Sequence, residues 1–213
     1  MKKSLIIILV LILATFASPI FFYPSLPDSM ATHWNLAGQA NDYMPKSIGA
    51  FLIPFVSIFL LGLFLLVPKI DPLKKNVEKF RNFFDGFIIV LTLFMLYIQS
   101  LMLLWNLNFQ FNMSTAIIPA MGILFFYIGI LLEHSKRNWF IGIRTPWTLS
   151  SDKVWEKTNK TGGLLFKICG ALTILSLFIQ EYALLRAIIP LIVVSLGLVV
   201  YSYWEFRKEQ IKK

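Results

Sequence analysis

The sequence predicts an all-α integral membrane protein with six transmembrane helices. Of its 213 residues 57% are hydrophobic and 15% charged, and the mean hydropathy is +0.72. This composition is too apolar for a soluble domain of that size. A helix rises about 1.5 Å per residue, so roughly 20 mainly apolar residues cross the hydrocarbon of a bilayer. Six such runs occupy residues 5–22, 48–67, 87–105, 115–132, 163–179 and 188–204.

The basic residues indicate how these helices are oriented. Of the 20 lysines and arginines, all but Lys46, Lys167 and Arg186 lie near the termini or after the second and fourth runs. Cytoplasmic connections are enriched in lysine and arginine, so we expect both termini in the cytoplasm and the connection 23–47 outside.

The same distribution accounts for the net charge of +9. Because the basic residues follow the orientation of the helices, the charge does not indicate direct nucleic-acid binding.

The first run has two interpretations. It follows Lys2 and Lys3, and Thr15-Phe16-Ala17 is a weak cleavage site, which would suit a secretory signal peptide. Its apolar stretch is longer than the roughly 7–15 residues of a signal sequence, which favours an uncleaved membrane anchor.

We divide the chain into two three-helix halves. The N-terminal half, 1–112, contains the extracytoplasmic loop 23–47, and the C-terminal half, 113–213, contains the cytoplasmic loop 133–163.

Small residues recur seven apart in the fourth and fifth runs. A spacing of seven keeps such residues on one helix face, where they let two backbones approach closely in lipid. The sequence therefore predicts that these two helices pack against each other through Thr115, Gly122, Gly129, Gly163 and Gly170.

The loop 23–47 is polar and rich in turn-forming residues, so we expect it to hold a defined shape. Because we expect this loop on the outer side of the membrane, it is the expected place for recognition of an external ligand. The candidate ligand-binding residues are Asp28, His33, Trp34, Asn35, Gly38, Asp42 and Lys46.

Two side-chain roles in this loop have alternatives. Asp28, His33 and Asp42 could gather around zinc or calcium, although turn-forming and capping roles explain them better because they lack a ligand spacing signature. Lys46 opposes the dipole at the start of the second helix, so we expect either a carboxylate partner, with Asp42 nearest in sequence, or full solvation.

The loop 133–163 has aromatic residues suited to a membrane interface. Ser150 or Ser151 is a plausible N-cap for a short helix through Lys160, which we expect to lie on the inner leaflet. The candidate functional residues here are Arg144, Thr145, Pro146, Trp147, Ser150 and Trp155.

Catalytic and cofactor motifs are missing from the sequence. It contains no Walker A, GxGxxG, HExxH or GxSxG pattern. The expected topology places His33 and His134 on opposite sides of the membrane, and Cys169 is the sole cysteine. We therefore expect neither an enzyme nor a bound metal or other cofactor.

Two segments resemble conserved regions of the SdpI family of bacterial membrane proteins. The first is similar to the pattern LPxxxxxHWNxxGxxDxxxxK, through Leu26, Pro27, His33, Trp34, Asn35, Gly38, Asp42 and, at a shorter spacing, Lys46. The second is similar to the C-terminal region, through Gly142, Arg144, Thr145, Pro146, Trp147, Thr148, Leu149, Ser150, Val154, Trp155 and Gly162.

The resemblance implies a function in immunity against the sporulation-delay peptide toxin. In that case the outer loop would meet a secreted peptide, and the inner loop would hold a cytoplasmic transcriptional repressor at the membrane. A small-solute transporter or channel is the alternative, and a membrane-embedded enzyme with its site at the outer loop is a third.

Overall fold

The computed structural model describes residues 2–178 and 183–211 and contains six helices long and apolar enough to cross a membrane. The six long apolar helices that the sequence predicts are therefore present. The long helices are α1 (Lys2–Phe22), α2 (Lys46–Ile70), α4 (Arg81–Asn106), α5 (Met113–His134), α7 (Asp152–Leu175) and α8 (Ala183–Ile211).

Four shorter elements lie in the connections. Strands β1 (Ser29–Trp34) and β2 (Ala40–Pro45) form an antiparallel hairpin between α1 and α2. The helix α3 (Lys74–Lys79) lies between α2 and α4, and α6 (Pro146–Ser150) precedes α7. We call the end of the helix bundle with β1 and β2 the hairpin end, and the end with α3 and α6 the opposite end.

Some sequence expectations fall outside the described residues. These are the last residue of the fifth apolar run, Ile179, and the final two lysines, Lys212 and Lys213.

Helices α5 and α7 pack with their backbones in close approach, as the spacing of small residues predicts. A Cβ placed on Gly122 would lie 2.8 Å from the carbonyl oxygen of Gly170, and one placed on Gly163 would lie 2.6 Å from that of Gly129. These separations are too short for a side chain. Near the opposite end of the same interface, Lys167 Nζ lies 2.6 Å from Glu133 Oε1.

The separate interfacial helix expected through Lys160 is a wrong prediction. Ser151 is an N-cap, as expected, and its hydroxyl accepts from the Val154 amide at 3.2 Å. The helix that begins there continues as the fifth span to Leu175. Gly162 and Gly163 do not interrupt it, because both are buried against neighbouring helices and cannot expose backbone to water.

Two apolar clusters hold α1, α2, α3 and α4 together. One joins α1, α4 and the α3 segment through Ile8, Ile12, Phe80, Phe84 and Ile88. The other lies directly under the hairpin and contains Leu26, Met30, Ala50, Met102 and Leu103. The second cluster ties the hairpin to α2 and α4, so the hairpin is part of the packed structure.

Candidate functional site

The hairpin is shaped by its turn and by irregular pairing. Met30 pairs with Met44 and Ala31 with Tyr43, after which the register shifts on either side of His33. The backbone NH of Gly38 donates to the Asn35 carbonyl at 2.9 Å, and Gly38 has φ +78°. Glycine adopts this left-handed conformation without a steric cost, which explains its place in the turn.

One carboxamide attaches β1 to α4. Asn106 Oδ1 accepts from the Ala31 NH at 2.8 Å, and its Nδ2 donates to the Ala31 carbonyl at 3.0 Å. This side chain thus satisfies both backbone groups of Ala31, as a neighbouring strand would. Both residues are buried, so either backbone group would be costly to leave unpaired.

The hairpin turn is held by the start of α5. Asn112 donates through Nδ2 to the Ala37 carbonyl at 2.8 Å and accepts through Oδ1 from the Thr115 NH at 2.9 Å, which caps α5. Ser114 Oγ donates to the Asn35 carbonyl at 3.2 Å. The hairpin therefore contacts helices from both halves of the chain.

The predicted polar residues of the hairpin have separate partners. His33 Nδ1 lies 2.7 Å from Asn41 Oδ1, and Asp42 Oδ1 accepts from the Tyr43 NH at 2.8 Å. Among the described residues, no three histidine, cysteine or acidic side chains gather as a set of metal ligands. The alternative of a metal site at Asp28, His33 and Asp42 thus has no geometric support.

Lys46 has a carboxylate partner other than the nearest one in sequence. Its Nζ donates to the Tyr23 carbonyl at 3.1 Å and lies 3.9 Å from Asp28 Oδ1 and 4.9 Å from the centre of the Tyr23 ring. The expectation of Asp42 as the partner was wrong, because strand pairing places Asp42 opposite His33. Lys46 fastens the start of α2 to the end of α1.

Trp34 lies half-buried where the hairpin meets α4. Its ring makes an edge-to-face contact with Trp105, with 5.7 Å between the ring centroids, and it packs on the apolar cluster under the hairpin. Its Nε1 is buried and has no hydrogen-bond partner within the described chain. Trp34 thus combines a packing role with one N–H group that the protein does not use.

The loop 133–163 folds around a buried asparagine at the opposite end. Asn138 Oδ1 accepts from the amides of Phe140 and Ile141, and its Nδ2 donates to the carbonyls of Lys136 and Ile141. The α2–α3 connection also holds this turn, since Asp71 Oδ2 accepts from the Trp139 NH at 2.9 Å. The loop consequently has a fixed backbone path.

Residues on α7 fix the second part of this loop. Asn159 Oδ1 accepts from the Ile143 NH at 2.8 Å, and Trp155 Nε1 donates to the Ser135 carbonyl at 3.1 Å. Gly142, with φ +122°, passes so close that a Cβ there would lie 2.8 Å from the Trp155 ring. Trp155 is 1% exposed, so it is a core residue of the loop and is not available to a partner.

The segment from Thr145 to Ser150 forms α6 and packs on α8. The Thr145 and Thr148 side chains cap the helix reciprocally, and Thr145 Oγ1 lies 3.0 Å from Ser202 Oγ. The Trp147 and Tyr203 rings lie 5.0 Å apart. Thr145 and Trp147 therefore join the loop to α8.

Ionic contacts complete this junction. Arg137 Nε lies 2.6 Å from Asp152 Oδ1 at the start of α7. Lys157 pairs with the buried carboxylate of Glu205, and Ser151 Oγ donates to Glu209 Oε2 at 2.6 Å. The loop, α7 and the end of α8 form one connected unit.

Three of the predicted residues in the loop are exposed. Arg144 lies on the protein surface and donates a hydrogen bond to the Trp139 carbonyl at 2.6 Å. Pro146 and Ser150 are also exposed. Trp139 and Phe140, next to Arg144, are exposed as well. A cation beside exposed aromatic rings is suited to contact either lipid headgroups or a partner protein.

Sequence reasoning missed the asparagines that fix both loops. Asn112, Asn138 and Asn159 bond backbone groups that lie outside regular structure, and Asn106 bonds both backbone groups of Ala31 in β1. A signal for Asn106 existed, because it is an uncharged polar residue at the end of an apolar run. Its partner, Ala31, lies 75 positions away and could not be inferred from local sequence.

Comparison with known proteins gives consistent matches. Residues 10–58 match a domain of unknown function (DUF1648), and residues 135–203 match the SdpI/YfhL protein family. The Immunity protein SdpI of Bacillus subtilis (strain 168) is 28% identical over 210 residues, which is 98% of each chain. No solved structure matches. The two matched regions contain the hairpin and the loop with α6, and the chain is a multi-pass membrane protein whose residues 135–203 are similar to the SdpI/YfhL family.

Proposed function

We propose that this protein protects its cell against a secreted peptide toxin, which it meets at the hairpin end. The observation that carries this proposal is the end-to-end similarity to an immunity protein, together with a hairpin fixed in place by Asn106 and Asn112. A pre-ordered surface binds a ligand without first losing loop entropy. The basic residues support an outward-facing hairpin, because they concentrate at the opposite end.

Protection is tested by expressing the chain in a toxin-sensitive Bacillus strain that lacks its own immunity protein. We expect expressing cells to survive exposure to the sporulation-delay peptide that kills cells with an empty vector. Equal killing at a verified membrane level of the protein would contradict immunity against this peptide. Solute flux in proteoliposomes without protection would support a transporter.

Two substitutions of Trp34 test the role of the hairpin in protection more specifically. Because its Nε1 has no protein partner, Trp34→Phe keeps most of the packing on Trp105 and removes one free donor. Trp34→Ala also removes the ring and should loosen the hairpin. Because this N–H is buried in the unliganded protein, Trp34→Phe should lower protection at an unchanged protein level only if peptide binding opens the hairpin and exposes it.

The second part of the proposal is that the opposite end reports toxin binding by holding a cytoplasmic repressor at the membrane. The exposed Arg144, flanked by Trp139 and Phe140, supports a contact surface there. Since this residue is remote from the hairpin, Arg144→Ala should retain protection and lose the membrane-bound fraction of a co-expressed helix-turn-helix repressor of the host.

Fractionation and quantitative blotting measure both quantities, with Arg144→Lys as the matched charge-retaining control. A lower amount of Arg144→Ala protein in the membrane would instead identify the side chain as an anchor that holds the Trp139 carbonyl and lipid phosphate.

A further inference from the structure

Two clefts at the hairpin end meet at the same residues. The first is an open cleft of about 690 Å³ between the hairpin turn and the connection from α4 to α5, and its walls include Gly38, Gln39, Tyr43, Trp105 and Gln110. The second is an open cleft of about 570 Å³ along the sides of α4 and α5, and its walls include Leu101, Leu104, Thr115 and Ala116. Phe111 and Asn112 line both, so the two clefts adjoin there, and we call them together the groove.

The chemistry of the groove changes along its length. The part beside the hairpin presents the carboxamides of Gln39 and Gln110, whereas the part beside the helices is lined mainly by aliphatic groups such as Leu101 and Leu104. This second part lies within the apolar span of α4. An occupant that fits both parts has one polar and one apolar portion.

The groove is uncharged. Among the described residues that line the two clefts, none is acidic or basic. Phosphate and carboxylate groups are normally met by arginine or lysine, so this lining does not suit a lipid headgroup or a free anion. Carboxamides instead match the amide and carbonyl groups of a neutral peptide backbone.

Large apolar side chains are exposed in the two segments that border the groove, the hairpin and the α4–α5 connection. Leu36 in the hairpin turn is 58% exposed, Tyr43 is 50% exposed, and Phe109 in the α4–α5 connection is 63% exposed. Exposed aromatic and aliphatic groups around a concave site provide the contacts that dominate peptide and protein recognition.

We propose that this groove, running from Gln39 and Gln110 past Phe111 and Asn112 to Leu101, binds a neutral amphipathic segment of the secreted peptide. The apolar part of the segment lies along α4 and α5 at the level of the lipid, and its polar part contacts the hairpin turn. This inference rests on the proposed immunity function and locates its binding site. His33 and Asp42 do not line either cleft, and the hydrogen bonds of their side chains lie within the hairpin.

The test measures binding of purified sporulation-delay peptide to the intact protein in nanodiscs of zwitterionic lipid. Gln110→Lys places a charge in the uncharged groove at an exposed position, and Ser25→Lys adds the same charge at an exposed position outside it. Burying an unpaired charge under the peptide should weaken binding by about tenfold or more for Gln110→Lys, while Ser25→Lys stays within about twofold of wild type.

A photo-crosslinker at position 110 gives an independent readout and should label the peptide, whereas one at position 25 should not. Labelling of phospholipid in place of peptide would overturn the inference. Wild-type protein that binds and protects, with Gln110→Lys equally active, would overturn the groove and leave the immunity function standing. Failure of wild-type protein to bind or protect would overturn the immunity function and the groove together for this peptide.

Discussion

At the scale of single residues, buried carboxamides fix the two irregular segments. Asn106 pairs with Ala31 at the hairpin end, and Asn138 holds the turn 138–141 at the opposite end. A carboxamide provides a donor and an acceptor without charge, so it can satisfy backbone groups where a carboxylate or ammonium would be costly to bury. By fixing the backbone of the two segments, these asparagines also fix the positions of the neighbouring exposed side chains.

The pairing of Asn106 with Ala31 leads to the first residue-scale prediction. Asn106→Leu keeps a similar volume and leaves the amide and carbonyl of Ala31 buried without a partner, which should cost about 1–3 kcal/mol per group. We expect hydrogen exchange at the Ala31 amide to accelerate strongly, with the hairpin detaching more often from α4.

Asn41→Ala is the matched control, because Asn41 is exposed and contacts His33 in the same hairpin. Its exchange at Ala31 should resemble that of the wild type. Equal protection of Ala31 in Asn106→Leu and wild type would show that the carboxamide does not hold the strand.

Sequence predicted the order of the loop 23–47 better than the partners of its side chains. The polar, turn-rich composition of 23–47 predicted an ordered loop, and the structure has a hairpin there. The pairing of Lys46 with Asp28 was missed, because sequence distance favoured Asp42 and gave no information on strand register. Trp155 was a candidate from resemblance, yet its burial gives it a packing role.

At the scale of elements, the α5–α7 pair is the closest-packed part of the bundle. Gly122 faces Gly170, and Gly129 faces Gly163, with backbone oxygens at distances that a methyl group would violate. Lipid provides no hydrophobic driving force between helices, so close van der Waals packing of small residues takes its place. This contact was predictable because its determinants recur within single helices.

The glycine contact predicts opposite effects for chemically identical substitutions. Gly122→Ala and Gly170→Ala place a methyl group against a facing carbonyl and should reduce stability in detergent and folded yield. Gly62→Ala and Gly197→Ala add a methyl group where nothing lies within 4 Å. These controls should be neutral or stabilising by up to about 1 kcal/mol, because alanine favours helix.

The thermal unfolding temperatures of the four purified variants, compared with that of the wild type, test this prediction. The same sign of change in all four would mean that helix propensity outweighs packing, and would contradict a close α5–α7 contact.

Element boundaries were harder to predict than the contact. The expected helix on the inner leaflet became the first turns of α7, because its polar residues Asn159 and Lys157 bond to the loop and to α8. Charge and polarity indicated an exposed surface helix, whereas tertiary hydrogen bonds allow these residues to continue into the span. These partners are distant in sequence and could not be inferred from the local sequence.

At the scale of the whole molecule, α5 and α7 connect the two ends. The start of α5 holds the hairpin through Asn112 and Ser114, and the end of α5 leads into the loop fixed by Asn138. The start of α7 forms part of that loop through Trp155 and Asn159. The tightly packed helix pair is therefore a direct physical link between the proposed toxin site and the proposed repressor surface.

The sidedness of the molecule is the prediction on which both proposed sites depend. Lys46 and Arg186 are the basic residues expected in outer connections, while the opposite end contains nearly all the others, so we expect the hairpin end outside and both termini in the cytoplasm.

Cysteine labelling in intact cells tests this orientation, in a Cys169→Ala background that removes the native thiol. Leu36→Cys, at an exposed position in the hairpin turn, should react with a membrane-impermeant maleimide before permeabilisation. Lys153→Cys, exposed at the start of α7, should react only afterwards. The reverse pattern would place the hairpin in the cytoplasm, where it could not meet a secreted peptide, and would exchange the roles proposed for the two ends.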